Sequence, residues 1–290
     1  MSKINTVIIP IAGMGTRFLP ITKTISKEML NILDRPLIDY AVAEAKEAGI
    51  KNFIFVTNKD NNFPKNYFSH NKELEIFLKK NKKKDLLRKI NKLNIEKENI
   101  TIVEQNKPSG LGDAILKTEK LLNGEDFCVI LPDDLILGAN CSRELIKVYN
   151  KKKNSVVGVM KVNKKEVKKY GIIDNYPGLG RTLRVRNLVE KPDIENAPSN
   201  LAIVGRYILS NDIFKCLKKI KKGSGNEYQL TDAISLCNKA QKTWCYKFSG
   251  RRYDCGSKLG YLNAQIAAGL IDKEIKKEVK TIIKNWELSL

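Results

Sequence analysis

A chain of 290 residues that is 42% hydrophobic and 29% charged has the material for a sizeable core, which excludes a disordered tail or a disulfide-stapled mini-protein. No run approaches the roughly 18 uninterrupted apolar residues of a membrane span, and the opening MSKINTVIIPIAG lacks a secretory cleavage region, so a cytoplasmic protein with no membrane partner is expected. The formal charge of +21 looks like a nucleic-acid signature, but only 10 of the 53 basic residues are Arg and no aromatic platform clusters with them, so a solvated lysine surface and no nucleic-acid partner are expected.

In chain order, the β-branched run Thr6 to Ile11 predicts a buried strand entering a glycine loop at Gly13-Met14-Gly15. Leu37, Ile38, Tyr40, Ala41, Ala45 and Ala48 have helical spacing, Gly49 is a stop, and Asn52 to Thr57 is the next strand. The basic segment Glu73–Asn99 carries Leu74, Phe77, Leu78, Leu86, Leu87 and Ile90 at helical spacings, which predicts an amphipathic insertion with a solvated lysine face. Strands follow at Ile100–Glu104, Phe127–Leu131 and Val156–Val162, alternating with helices at Leu111–Leu122 and Arg143–Tyr149.

Repeated βα units predict a Rossmann-like α/β fold, with a mostly parallel sheet and helices on both faces. Short strands near Gly171–Asp174, Leu183–Glu190 and Leu201–Leu209 then predict a small antiparallel excursion over the ends of that sheet. Helices at Asp212–Ile220 and Glu227–Lys239 and a strand at Thr243–Phe248 complete a domain over 1–257. Residues 258–290 form a helical C-terminus whose final stretch, with Ile275, Val279, Ile282, Ile283 and Trp286 among lysines, is amphipathic; it packs on its own domain or at a subunit contact.

The six cysteines (Cys128, Cys141, Cys216, Cys237, Cys245, Cys255) form no CxxC pair, and His70 is the single histidine. Zinc fingers, HExxH hydrolases and His-dependent triads are thereby excluded, and buried reduced thiols are expected. The Gly13-Met14-Gly15 loop is neither a dinucleotide fingerprint, because Phe18 stands where the third glycine belongs, nor a Walker loop. Two glycines after a buried strand still admit a nucleotide close to the backbone, with Thr16, Arg17, Lys23 and Lys27 as donors to phosphate. Asp133 closes an apolar strand, which places its carboxylate at the strand's carboxyl end, where open α/β sheets bind ligands; Asp134 reads as a turn or capping aspartate.

The stretch Gly13-Met14-Gly15-Thr16-Arg17-Phe18-Leu19-Pro20-Ile21-Thr22-Lys23, followed by Lys27-Glu28-Met29-Leu30, resembles the nucleotide-sugar pyrophosphorylase signature, in the form carried by the bacterial UTP–glucose-1-phosphate uridylyltransferases. The likeness recurs in Gly110-Leu111-Gly112, Ile130-Leu131-Pro132-Asp133-Asp134, Tyr170-Gly171, Val189-Glu190-Lys191-Pro192, the run Pro198 to Tyr207, Gln229 to Ile234, and Tyr253-Asp254-Cys255-Gly256.

The resemblance implies transfer of a uridylyl group from UTP to glucose 1-phosphate, giving UDP-glucose and pyrophosphate, with Mg²⁺ as cofactor and a homo-oligomer (dimer or tetramer) as the assembly. It implies Asp133 and Asp254 as metal ligands and Arg17, Lys27, Asp133 and Lys191 as the catalytic set. Ala12, Gly13, Gly15, Thr16, Glu28, Gln105 and Gly112 would hold the nucleotide, and Gly171, Glu190, Val204 and Gly205 the sugar. Three positions depart from the family pattern: Ser26 replaces a proline, Asp113 a frequent histidine and Glu104 a frequent arginine, all near the proposed base site. The rival readings are a pyrophosphorylase for another nucleotide or sugar, a non-catalytic nucleotide-sugar-binding regulator, and an RNA-binding protein.

Overall fold

The computed structural model describes residues 4–58 and 62–287, with side chains to residue 285. The N-terminal part runs β1 (Thr6–Pro10), β2 (Asn31–Ile32), β3 (Arg35–Pro36), α1 (Leu37–Glu47), β4 (Asn52–Thr57), α2 (Phe63–Phe68), α3 (Lys72–Lys80), α4 (Lys84–Asn91) and β5 (Ile100–Glu104). The middle follows as α5 (Leu111–Leu116), β6 (Phe127–Ile130), β7 (Asp134–Leu137), α6 (Cys141–Lys152), β8 (Val156–Lys161), β9 (Gly171–Asn175), β10 (Thr182–Glu190) and β11 (Leu201–Leu209). The chain closes with α7 (Ile213–Leu217), α8 (Leu230–Asn238), β12 (Trp244–Lys247), β13 (Arg251–Asp254), α9 (Lys258–Ile271) and α10 (Lys276–Glu287).

Among the described residues, nine strands form one sheet in the order β5-β4-β1-β6-β11-β8-β12-β10-β9. The first four run parallel, and β11 enters antiparallel between β6 and β8. Alternate residues of each strand serve opposite faces. Ile8, Ile54 and Val56 join α5, α7 and α8 in one core, while Val7, Ile9, Phe53 and Phe55 join α1 and α6 in the other. Helices thus cover both faces, which is why these strands are apolar at every position rather than alternating. A third cluster packs α9 against β7 and the β2–β3 ribbon through Leu37, Leu135, Cys255, Ala264 and Ala268, and Val279 of α10 rests on Gly269 of α9.

Several expectations need correction. Of the three strands expected as an antiparallel excursion over the sheet's ends, β11 lies in the middle of the sheet, while β10 and β9 continue it past β12 and β9 turns back to pair with β11 at Ala202 and Ile172. The helix from Leu111 ends at Leu116, because the buried Thr118 hydroxyl donates to the Ile115 carbonyl and closes the turn. Residues 227–229 are extended rather than helical, since Tyr228 bonds through both its N–H and its carbonyl to the loop at Ser109 and Gly112. Cys216 and Cys237, on the packed helices α7 and α8, are joined as a disulfide, with Cα atoms 5.8 Å apart; the other four cysteines are buried free thiols. The basic insertion is two helices, and of its six spaced apolar residues only Leu78 is buried, while Leu74, Phe77 and Leu86 face solvent. The side chain of Trp286 lies outside the described residues.

Candidate active site

Because β1, β4, β5 and β6 are parallel neighbours, their carboxyl ends share one edge. Ala12, Asn58, Gln105 and Asp133 follow these four strands, and the edge is knit by Ile11 N–H to the Val56 carbonyl and Gln105 N–H to the Thr57 carbonyl, both at 2.7 Å. The loop after β1 folds as three single turns, at Thr16–Phe18, Ile21–Lys23 and Lys27–Met29. Gly15 sits at φ +62°, where a Cβ would also meet Thr22 at 3.0 Å, and the Thr22 hydroxyl donates to its carbonyl at 2.8 Å. The loop thereby returns Lys27 over Gly13, with Lys27 Cε 3.3 Å from where a Gly13 Cβ would stand.

Lys27 Nζ donates to Asp133 Oδ2 at 2.7 Å and lies 3.7 Å from Glu28 Oε1. Burial opposes the charge on Lys27, but Asp133 and Glu28 outweigh it and hold the ammonium's pKa above its ordinary value. Burial likewise works against the Asp133 carboxylate, and the Lys27 charge and hydrogen bond reverse the balance, leaving its pKa below the usual range. Glu28 is 1% exposed, and its burial pushes its pKa up to about 7 against the pull of Lys27 and of the Ser26 hydroxyl, which donates to Glu28 Oε2.

Two cavities meet at this ion pair. One, of about 740 Å³, is bordered by Gly13, Lys23, Ser26, Lys27, Asn58 and Phe63. The other, of about 420 Å³, is bordered by Arg17, Asp133, Gly171, Glu190, Lys191, Val204, Gly205 and Asp254. The sugar-side set and both candidate metal ligands are therefore brought together around one hollow, with Lys27 at the boundary. Ala12, Gly15, Thr16, Glu28, Gln105 and Gly112 border neither cavity.

The second cavity is walled by close backbone contact. Gly171 pairs with Glu190 across β9 and β10, and a Cβ there would stand 3.1 Å from both Glu190 Oε2 and Thr231 Oγ1, which hydrogen-bond each other at 2.7 Å. Lys191 lies just past β10 at φ +45°, its N–H bonded to the Tyr170 carbonyl and its ammonium 3.4 Å from Glu190. On β11 the pairing with β8 slips between Ile203 and Tyr207, and this bulge turns the Gly205 N–H to Asp134 Oδ2 at 2.6 Å. Asp134 is thus no turn residue. It is buried, and its other oxygen accepts from Arg252, whose guanidinium also donates to the Tyr170 hydroxyl at 2.7 Å. Burial raises the Asp134 pKa despite the Arg252 charge.

Gln105 and Gly112 belong to a second cluster. The Gln105 amide donates to the Gly110 carbonyl at 3.1 Å and to Asp113 Oδ2 at 2.7 Å, and Gly112 presses against the Tyr228 carbonyl, which accepts its N–H at 2.8 Å. Asp113, at one of the positions that depart from the family pattern, therefore has a partner in this loop.

Sequence reasoning missed the supporting residues. Arg206 is buried, pairs with Glu44 at 2.9 Å, and donates to the Leu131 and Gly205 carbonyls at 3.0 Å each, tying the strand before Asp133 to β11. Its signal was present: a charge within the apolar run Leu201–Leu209 has to find a partner. Arg252 and Thr231 lie in or beside recognised motifs but carry no such sign.

The residues present fit a cation. Asp133 Oδ2 and Asp254 Oδ1 lie 3.3 and 3.2 Å from the point where a Cβ on Gly256 would stand, with an Arg17 nitrogen also at 3.3 Å. The missing side chain leaves a gap walled by two hard carboxylate donors, and a Mg²⁺ ion is usually held by one or two carboxylates together with phosphate oxygens and water. Among the described residues no group of three or more His, Cys, Asp or Glu could hold a metal by itself.

The chain that builds this arrangement, a glycine loop and an aspartate at the carboxyl edge of an α/β sheet, matches the nucleotidyl transferase family model over residues 6–269. The chain is 44% identical over the full length of both sequences to UTP–glucose-1-phosphate uridylyltransferase 2 of Staphylococcus saprophyticus, and 41% identical to the Bacillus subtilis UTP–glucose-1-phosphate uridylyltransferase over 96% of each. Among solved structures it resembles a UTP-bound UGPase from Acinetobacter baumannii (TM-score 0.87, 39% identity, 97% of this chain and 99% of that one). It also resembles a UDP-glucose pyrophosphorylase complexed with UDP-glucose (TM-score 0.81, 42% identity, 91% and 98%). The chain belongs to the nucleotidyl transferase family, whose members generally use a divalent metal. Within that family it belongs to the UTP–glucose-1-phosphate uridylyltransferases.

Proposed function

We infer that the protein transfers a uridylyl group from UTP to α-D-glucose 1-phosphate, releasing pyrophosphate and UDP-glucose. The observation that carries this reading is the meeting of two cavities at Lys27 and Asp133, one bordered by the glycine loop and the other by Glu190 and Lys191. A phosphate oxygen of the sugar is already anionic and needs no general base, in keeping with a site without histidine. That oxygen attacks the α-phosphorus of UTP, a new P–O bond forms, and the bond to the β-phosphate oxygen breaks opposite it, the electron pair leaving with pyrophosphate.

Lys191 holds the attacking phosphate and Glu190 accepts from glucose hydroxyls, against a wall of Gly171, Val204 and Gly205. Arg17 and Lys27 steady the triphosphate and the leaving group. Ala12, Gly13, Gly15 and Thr16 offer backbone and hydroxyl groups to the nucleotide, and Glu28, Gln105 and Gly112 serve the base. Asp133 and Asp254 are the residues that would hold Mg²⁺, and the ion, when bound, neutralises charge on the nucleotide phosphates. Residues 1–257 are taken as the catalytic domain and 258–290 as a helical segment that packs on it or meets a second copy, in a homo-oligomer working in the cytoplasm. No helix among the described residues is long and apolar enough to cross a membrane.

Pyrophosphate release measured with four nucleoside triphosphates against three sugar phosphates tests the reading. UTP with glucose 1-phosphate should give the highest rate. No release with that pair, or a preference for dTTP or N-acetylglucosamine 1-phosphate, would overturn it.

A further inference from the structure

We propose that Asp113 is a specificity-positioning residue: it fixes the orientation of the Gln105 amide so that position 105 offers the base an acceptor and no donor. The site then admits a pyrimidine with an imide N–H, as uracil has at N3, and refuses cytosine, whose N3 is an acceptor. The proposal rests on the reading of Gln105 as a base contact and adds the device that gives that contact its sign.

An amide side chain has two ends of opposite hydrogen-bonding character, and its orientation is decided by its partners. For Gln105 the partners are the Gly110 carbonyl at 3.1 Å and the Asp113 carboxylate at 2.7 Å. Both only accept, so both protons of the amide nitrogen are committed to them. Turning the amide over would set its oxygen against two acceptors, one of them charged. The remaining polar atom, Oε1, has no donor among the described residues, although the residue as a whole is buried at 6% exposure.

The backbone holds this geometry in place. Gln105 is anchored by its own N–H to the Thr57 carbonyl at 2.7 Å, on the strand edge shared with Asn58, which borders the larger cavity. Gly110 reaches its position at φ +101°, with Tyr228 backbone atoms 2.8 to 2.9 Å from where a Cβ would stand, so no other residue fits the turn that aims its carbonyl. Asp113 lies in the first turn of α5, three residues on, where its carboxylate reaches back over that carbonyl. Of the two partners, Asp113 is the one a side-chain substitution can change.

The test is the ratio of kcat/KM for UTP to that for CTP in wild type and four variants, with thermal unfolding recorded for each. Asp113→Ala, which removes the charged acceptor, should lower the ratio roughly tenfold, the scale of one buried hydrogen bond. Asp113→Lys, which offers only donors, should lower it further by drawing the amide oxygen inward. Asp113→Asn should keep most of the wild-type ratio, because its amide oxygen can still accept from Gln105.

If Asp113→Ala and Asp113→Lys slow both nucleotides equally while Gln105→Ala lowers the ratio, Asp113 merely supports the loop and the proposal is overturned, with Gln105 still reading the base. If Asp113→Asn loses as much as Asp113→Ala, charge rather than acceptor geometry is responsible, and the proposal is again overturned. If Gln105→Ala leaves the ratio unchanged, the base contact itself is wrong, and the proposal fails with it.

Discussion

Gly205→Ala puts the wall of the cavity shared by Asp133, Glu190 and Lys191 under a defined steric load. A Cβ at this position would stand 2.5 Å from Leu131 Cβ, 2.7 Å from its Cγ and 2.9 Å from Cδ1, whereas carbon atoms settle at about 3.5–4.0 Å. Relief therefore requires a displacement of about 1 Å. Leu131 cannot swing away cheaply, because the atom met first is its own Cβ. Its backbone is also pinned by its N–H to the Gly205 carbonyl at 2.9 Å and by Arg206 on its carbonyl at 3.0 Å. Overpacking of this kind costs about 1–3 kcal/mol, a fall in Tm of about 2–5 °C for a domain of this size. The displacement also reaches Asp133, two residues from Leu131, and a shift of about 1 Å in a reacting constellation lowers the rate by as much as ~10²-fold. Differential scanning calorimetry and pyrophosphate release measure the two effects, and a variant with wild-type Tm and turnover would refute the reasoning.

Asp133→Asn should keep the fold and lose on the order of 10²–10³ in kcat, checked by circular dichroism beside a pyrophosphate assay across a Mg²⁺ series. Lys191→Ala should both lower kcat and raise KM for glucose 1-phosphate while calorimetry finds UTP binding intact; the converse pattern would move Lys191 to the nucleotide side. Glu28 binds a proton in the folded protein up to a pH of about 7. Its unfolded pKa is lower, about 4.3, so between these values the native state holds more protons and stability contributed at this site falls as pH rises. Glu28→Gln should flatten that fall in urea titrations between about pH 4.5 and 7, and an unchanged slope would contradict a buried, proton-binding Glu28. Converting Lys82, Lys83 and Lys84 to Gln should leave turnover near wild type and stability within about 0.5 kcal/mol, since all three are exposed; a large loss of activity would give the insertion a part in binding or assembly.

The framework was legible in the sequence because strands buried on both faces read as unbroken apolar runs, as Val7–Ile9 and Phe53–Val56 do, and because Asp133 closes such a run. Less visible were features set by distant partners. The strand Asp134–Leu137 is four residues long and exists through pairing with Arg251–Asp254 more than a hundred positions away, so Asp134 resembled a turn residue when it in fact bonds Gly205 and Arg252. Thr118 ends α5 by a side-chain bond that periodicity does not register. The pairing of Cys216 with Cys237 depends on α7 lying against α8, which spacing alone does not disclose. Of the departures from the family pattern, Ser26 and Asp113 acquired meaning only when their partners, Glu28 and Gln105, were seen.

The two halves of the cleft differ in what they are made of, and this has a bearing on how they yield. The half proposed for the sugar takes its wall from the middle of β11, a strand buried along its whole length, stapled by Asp134 and Arg206. The half proposed for the nucleotide is a chain of single turns in which Met14, Leu19, Ile21 and Ile25 stand open to solvent. Amide hydrogens of 13–30 should exchange through local openings that cost little, and those of 201–209 only as the molecule unfolds as a whole. Compliance is thus concentrated on one side, and with the nucleotide placed at the loop and the sugar phosphate at β11, as proposed, the larger substrate would enter where the cleft gives way and the smaller would meet a fixed wall.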